Sequence, residues 1–273
     1  MWELHISKIK SLLVLILLFS VVLSGCVSKE EKLANDAFKE VVDKVQKMNI
    51  DIDKHISDAE ALIETNEKAL DEKAIGLLES AVSTAKSLKV KIPERPKEIE
   101  SIKEQTEKLS HVDYTSVVKQ IDAAKKAYED SVKQLKQVTA PPESFIIERV
   151  QAVEGVTGVS AVTESNDPNK QLGKQGGYTA QVFFSYNLIN QKSIEGNSII
   201  EKGTDCGGSV EVYKTAEEAE KRNSYLATFD GGIFSSGHHS VLGTVIVRTS
   251  DKLTASQQQE LETKVINSLI ELK

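Results

Sequence analysis

Leu135-Lys-Gln-Val-Thr-Ala-Pro-Pro142 separates two kinds of sequence in this chain. Two consecutive prolines cannot extend the helix before them, because each lacks the amide donor and its ring crowds the preceding turn. They favour a stiff, extended spacer, here residues 140–142. Upstream, from Lys29 to Val138, the only glycine is Gly76, aromatics are few, and Lys, Glu, Ala and Leu abound. That is helical composition. Downstream, glycine becomes frequent and β-branched and aromatic residues gather in short runs. The expectation is a helical region over 27–139 followed by an α+β head over 143–273.

Within the helical region the apolar positions alternate four and three residues apart. The first seam runs Ala34, Phe38, Val41, Val45, Met48, Ile52, His55, Ala59, Leu62, Asn66, Ala69. A seam of that length predicts one long helix with a partner along it. A second seam, Ile75, Leu78, Val82, Ala85, is interrupted by Pro93 and Pro96 and resumes at Ile99, Ile102, Thr106, Leu109. A third runs Val117, Ile121, Ala124, Tyr128, Ser131, Leu135, Val138, with Asp113 and Ser116 offering capping chemistry before it. Together these predict an elongated antiparallel bundle or coiled coil of about three helices, a stalk whose seams pair within one chain or between chains. His55 and Asn66 fall on the first seam, where a polar residue at one layer commonly sets register.

In the head, Glu143–Val153 reads as a short amphipathic helix, with Phe145, Ile146, Val150 and Val153 on one side. Strands are predicted at Val159–Thr163, Tyr178–Tyr186, Ser209–Tyr213 and, as one long apolar strand, Ser240–Thr249. Thr215-Ala-Glu-Glu218 and Thr254-Ala-Ser-Gln257 are capping-box patterns opening two further helices. The order predicts a largely antiparallel sheet with polar, glycine-rich loops over 164–177 and 187–208.

The amino terminus carries a different message. Lys8 and Lys10 precede the apolar run Leu12–Phe19, which continues as Val21-Val-Leu23 and ends in Leu23-Ser24-Gly25-Cys26. A basic start followed by an apolar run too short for a comfortable bilayer span reads as a signal peptide over 1–25. The tetrapeptide resembles the lipobox of bacterial lipoproteins. That resemblance implies cleavage before Cys26, diacylglycerol on its sulfur, and an anchor of acyl chains such as palmitate on the extracytoplasmic face of the cell membrane. A formal net charge of -7 disfavours nucleic acid, which calls for a basic face, and broad adhesion to anionic lipid. With Cys26 committed to the anchor, Cys206 is the only other cysteine, so no disulfide is expected within the chain.

Chemistry-bearing residues in the head are sparse. Cys206 with His238 and His239 could form a nucleophile and base, but no orienting third group or four-ligand zinc spacing accompanies them. The adjacent Gly207-Gly208 suggests a turn around a small buried cysteine. Glu164-Ser-Asn-Asp-Pro-Asn169 gathers oxygen ligands of the type calcium takes, yet lacks EF-hand spacing and consists of standard turn formers. Gly173-Lys-Gln-Gly-Gly-Tyr-Thr179 lacks the phosphate-loop order of glycine and lysine. Asp230-Gly-Gly232 and Gly237 punctuate a loop. No catalytic set, cofactor or metal is assigned.

Anchor, helical stalk and α+β head together resemble surface lipoproteins of Gram-positive bacteria, with a stalk similar in style to helical repeats of surface adhesins. Glu211–Leu226, Leu242–Ser250 and Leu253–Gln257 look like an uncharacterised lipoprotein domain family that brings no assigned activity. The architecture, an anchor, a seam-bearing rod, a proline spacer and a head without a catalytic set, leads to the expectation of a non-enzymatic, lipid-anchored protein whose head binds a protein or cell-wall partner through its loops. A cell-envelope hydrolase using Cys206 with His238 or His239, and an oligomeric structural protein, are the alternatives.

Overall fold

The computed structural model describes residues 28–231 and 237–273. The expected signal peptide, the lipobox-like tetrapeptide with Cys26, and Gly232 lie outside the described residues. The protein is α+β, as expected, with a helical amino-terminal part and an antiparallel sheet in the head. No helix among the described residues is long and apolar enough to cross a membrane. The chain divides into two compact units, Met1–Asp58 with Val82–Ile121, and Ala59–Ala81 with Asp122–Lys273. The division runs through helices, whereas the spacer at 140–142 lies inside the second unit.

Among the described residues, the amino-terminal part contains four helices: α1 (Lys29–Glu64), α2 (Ala74–Leu88), α3 (Ile99–Ser110) and α4 (Thr115–Gln137). The interrupted second seam is two separate helices, because Pro93 and Pro96 cannot sit inside a helix and residues 89–98 between the two are not helical. In the first unit, Ala34, Phe38 and Val45 of α1 pack with Ile102 and Leu109 of α3. The chain between α2 and α3 is fixed by polar contacts. Val90 N–H donates to the Tyr114 hydroxyl at 2.8 Å, that hydroxyl donates to Asn49 Oδ1 at 2.8 Å, and Asn49 Nδ2 donates to the Val90 carbonyl at 3.0 Å. Asp113 accepts from Thr115 N–H at 2.9 Å and starts α4, as its position predicted.

The first seam needs correcting in two places. Ile56 takes the buried position and His55 is half-buried, since an imidazole loses more than an isoleucine on leaving water. The helix ends at Glu64, with Asn66 in the left-handed region at φ 47°, so Asn66 and Ala69 are not helical seam positions. Asparagine tolerates that conformation because its short amide bonds locally. In the second unit the chain beyond this cap is held by α4. Leu70 N–H and Asp71 N–H donate to the carbonyl and hydroxyl of Ser131 at 3.1 and 2.7 Å, and the Tyr128 hydroxyl donates to the Glu67 carbonyl at 2.7 Å.

The head forms α5 (Glu143–Gln151), β1 (Val156–Ala161), β2 (Ala180–Tyr186), α6 (Ile199–Lys202), β3 (Gly207–Val212), α7 (Ala216–Ala227), β4 (His239–Leu242), β5 (Val245–Thr249) and α8 (Ala255–Ile270). The sheet order is β1-β2-β3-β5-β4, antiparallel throughout. One face carries Ala180, Val182, Phe184, Val210, Val212, Val245 and Val247 against Ile146 and Val150 of α5 and Leu261, Val265 and Leu269 of α8. Each such side chain is worth about 1.5–3 kcal/mol of burial, and this face is the main core. Helix α8 opens with the complete capping box expected at Thr254 and Gln257. Gly207 and Gly208 begin β3 and do not form the expected turn; a side chain at either would meet the Phe184 or Arg248 carbonyl.

The long strand expected at Ser240–Thr249 is a hairpin. Leu242 pairs with Val245 across the two-residue loop Gly243-Thr244, and Gly243 has φ 64°. Tight hairpins need such a residue at that place. The apolar run conceals the turn because Val241-Leu242 precedes it and Val245-Ile246-Val247 follows. The loop also receives the end of α4: Thr244 N–H donates to the Val138 carbonyl at 3.1 Å and Ala140 N–H donates to Thr244 Oγ1 at 2.7 Å. A β-carbon on Gly243 would come within 2.7 Å of the Val138 carbonyl oxygen. Gly243→Ala is therefore expected to lower stability by at least about 1–3 kcal/mol. Chemical denaturation checks this; an unchanged midpoint would refute the role given to this turn.

Candidate functional site

The opposite face of the sheet is polar at its centre and covered nonetheless. Gln181 on β2, Ser209 and Glu211 on β3, and Arg248 on β5 alternate with the core residues and point away from them, and all four are buried. Helix α7 and the 164–177 loop lie over them, with Ala219 and Leu226 of α7 packing on Tyr178, Tyr213 and Ile246. Glu211, with no exposed surface, organises this layer. Its Oε2 accepts from Arg222 Nε at 3.0 Å and from the Tyr213 hydroxyl at 2.8 Å. Its Oε1 accepts from Arg222 Nη2 at 3.2 Å and Arg248 Nη1 at 3.0 Å. Burial alone pushes the Glu211 carboxyl up; the charges of Arg222 and Arg248 and the bonds from Arg222 and Tyr213 outweigh it and hold the group below its ordinary range. The Tyr213 phenol is pushed up by burial and by the Glu211 charge, and stays a donor.

A second carboxylate shapes the loop. Asp167 Oδ1 accepts from Asn169 N–H at 2.9 Å and from the Tyr178 hydroxyl, and Oδ2 accepts from Gln171 and Leu172 N–H at 2.6 and 2.8 Å. Burial raises the Asp167 carboxyl, but the Tyr178 hydroxyl and three backbone amides lower it further, leaving it below the usual range. The oxygen-rich segment Glu164–Asn169 is thus an amide-gathering turn whose carboxylate lone pairs face N–H and O–H donors. Tyr178 stands edge-on to Tyr213, with ring centroids 6.5 Å apart.

Between this loop and α7 opens a cleft of about 590 Å³. The loop contributes Asn169, Gln171, Gln175 and the Gly176-Gly177 backbone, and the rings of Tyr178 and Tyr213 meet it from the sheet side. Helix α7 contributes Glu218, Lys221, Arg222 and Tyr225. Arg222 is committed to Glu211, and Lys221 pairs with Glu217 at 3.0 Å. Glu218 is the exception. Thr215 accepts from Glu218 N–H at 3.2 Å, half of the capping box expected there. The Glu218 carboxylate does not complete the box by returning to the Thr215 amide. It lines the cleft instead, with Oε2 buried and without a hydrogen-bond partner among the described residues. Tyr225 offers a ring 55% exposed, with Arg222 5.5 Å over its centroid and Phe229 edge-on at 5.2 Å.

The candidates singled out from sequence lie apart from this cleft. Cys206 is fully buried, its sulfur facing the Gly203 and Phe184 carbonyls at 3.2 and 3.4 Å, and burial pushes its thiol up to about 11. His238 Nδ1 lies 2.9 Å from Glu262 Oε2, and the His239 ring nitrogens face Asn223 Oδ1 at 2.7 Å and Asp230 Oδ1 at 3.3 Å. Neither histidine is bonded to Cys206. Gly173–Thr179 is the turn closing the cleft loop, with Gly173 N–H donating to the Tyr178 carbonyl at 2.9 Å. No three side chains of metal-ligating type converge among the described residues. Sequence reasoning passed over Glu211, Arg222, Arg248 and Glu218. The signal available was Arg248 inside the apolar run Val245-Ile-Val-Arg-Thr249.

Two predictions follow from these surroundings. Glu211→Gln leaves two guanidinium groups uncompensated beside a fully buried site and is expected to destabilise by about 3–5 kcal/mol. Because the folded pKa of Glu211 lies below its ordinary 4.5, its contribution is present above that value and lost as pH falls through the depressed folded value. Stability measured from pH 7 to pH 3 should therefore fall less steeply in Glu211→Gln; an identical acid slope would contradict the assignment. In a Cys26→Ala chain, where Cys206 is the only thiol, modification by a disulfide reagent at pH 8 should proceed only at the rate of unfolding. Rapid labelling of the folded chain would show an accessible thiolate.

No family model, curated protein or solved structure matches the chain, and what the cleft can take is decided by the residues that line it.

Proposed function

We propose that this chain is a lipid-anchored protein of the extracytoplasmic membrane face, held by diacylglycerol on Cys26, and that its head is a non-enzymatic binding module. The lipobox Leu23-Ser24-Gly25-Cys26 supports the anchor. The observation that carries the binding reading is the cleft between the 164–177 loop and α7, whose wall includes the Glu218 side chain, with its Oε2 buried and without a hydrogen-bond partner among the described residues. An unmet acceptor in a cleft wall favours a ligand that brings a donor.

The chemistry of the neighbouring groups favours binding over turnover. Glycoside hydrolysis uses two free carboxylates across one bond. Beside this cleft Glu211 is taken up by two arginines and a phenol, and Asp167 by amides and a phenol, which leaves Glu218 alone. Thiol catalysis needs an accessible thiolate beside a base. Cys206 is buried among carbonyl oxygens with its pKa raised, and His238 and His239 are bonded elsewhere.

Cys26→Ala tests the anchor. The variant should retain its signal peptide, giving a heavier band that takes up no labelled palmitate. A variant that stays with the membrane and matures normally would overturn the localisation.

A further inference from the structure

We infer that the cleft between the 164–177 loop and α7 binds a short glycan, with the exposed ring of Tyr225 as a platform and Glu218 and the loop amides as hydrogen-bonding partners. This rests on the binding reading above and gives it a ligand class.

The argument starts from what the lining side chains still have to offer. The cations there are paired, Arg222 with Glu211 and Lys221 with Glu217, so the cleft has no spare positive charge to recruit a phosphate or carboxylate. Glu218 adds a carboxylate side chain to the wall, which disfavours anions and accepts hydrogen bonds; its Oε2 is buried without a partner among the described residues, so a small side-chain rotation on binding would bring it to a ligand hydroxyl. The loop adds the exposed side-chain amides of Gln171 and Gln175. An amide both donates and accepts, which matches a hydroxyl group; several of them in one wall match a polyhydroxylated ligand. Tyr225, at 55% exposure, supplies an amphipathic face on which the C–H side of a sugar ring can lie while its hydroxyls turn outward.

Rigidity supports the same assignment. Tyr225 is held between Arg222 and Phe229, and Arg222 is fixed by the buried Glu211. The loop opposite is fixed by Asp167 and Tyr178. A cleft of about 590 Å³ falls within the usual range for small-ligand sites and accommodates a short oligosaccharide. Preformed walls reduce the ordering that a flexible, weakly held sugar would otherwise require on binding.

The test uses the full-length chain in detergent micelles, with calorimetry and saturation-transfer NMR against a tetramer of N-acetylglucosamine, its deacetylated form, and maltotetraose. At least one should bind. Glu218→Gln and Tyr225→Ala should each weaken that binding about tenfold or more, and Gln175→Ala should weaken it less. Tyr225 and Gln175 are exposed, so both variants should stay folded and melt cooperatively even if the Glu218 change perturbs the fold, Gln175→Ala at the wild-type temperature and Tyr225→Ala with only the small loss of its contacts to Arg222 and Phe229. A preference for the deacetylated tetramer that disappears in Glu218→Gln would place an amino group on that carboxylate. Absence of binding by all three sugars, or binding that survives both Tyr225→Ala and Gln175→Ala, overturns the proposal. Such a failure alongside the expected behaviour of Cys26→Ala removes the ligand class and leaves the anchored protein intact.

Discussion

Glu211 sits where a β-sheet normally turns a polar side chain to water, yet it is sealed beneath α7 and the 164–177 loop. A carboxylate there is tolerated only if its lone pairs are filled and its charge is met. Arg222 comes from the covering helix, Arg248 from the neighbouring strand, and Tyr213 from the end of the same strand. The covering layer is thereby tied to the sheet by direction as well as by contact. A buried ion pair is weak grounds for stability, since apolar replacements of similar volume often do as well. What it supplies here is orientation: Arg222 cannot reach both oxygens of Glu211 unless α7 lies at one rotation about its axis.

That rotation decides what α7 presents to the cleft. Glu218, Arg222 and Tyr225 follow one another at spacings of four and three, one helical face. With Arg222 fixed inward, Glu218 and Tyr225 are directed along the same wall. The other wall is built by the same means. Asp167 collects three backbone amides and the Tyr178 hydroxyl, and Tyr178 stands against Tyr213, which bonds Glu211. Two carboxylates that titrate below their ordinary range thus organise both sides of one opening.

Much of the fold could be read from the chain because its signals are local. Pro93 and Pro96 stop a helix, Asp113 and Thr254 start others, and alternating apolar residues mark the core face of β2, β3 and β5. Gly243 was harder to see: a turn made of glycine and threonine inside a run of branched residues leaves hydrophobicity almost unbroken. His55 and Asn66 show the limit of a strict four-three count, since a real helix drifts from it and can end on an asparagine within it. The cleft was hardest. Its residues come from sequence regions tens of positions apart, and the alternation Ser209-Val-Glu-Val-Tyr213 reads as a strand with a wet face. Period-two patterning states which side chains share a face; it does not state whether another layer covers that face.

Glu218 carries the argument one step further. Thr215-Ala-Glu-Glu218 is a capping-box pattern, and such a glutamate normally returns to the first amide of its helix. In α8 the equivalent glutamine does so, which shows that the backbone geometry of this protein permits the full box. In α7 the threonine half is made and the carboxylate half is not. The helix forgoes a small local stabilisation while one oxygen of the same residue lies buried and unmet beside the cleft. Among paired cations, amide-filled carboxylates and donating phenols, that oxygen is the unsatisfied acceptor beside the cleft among the described residues.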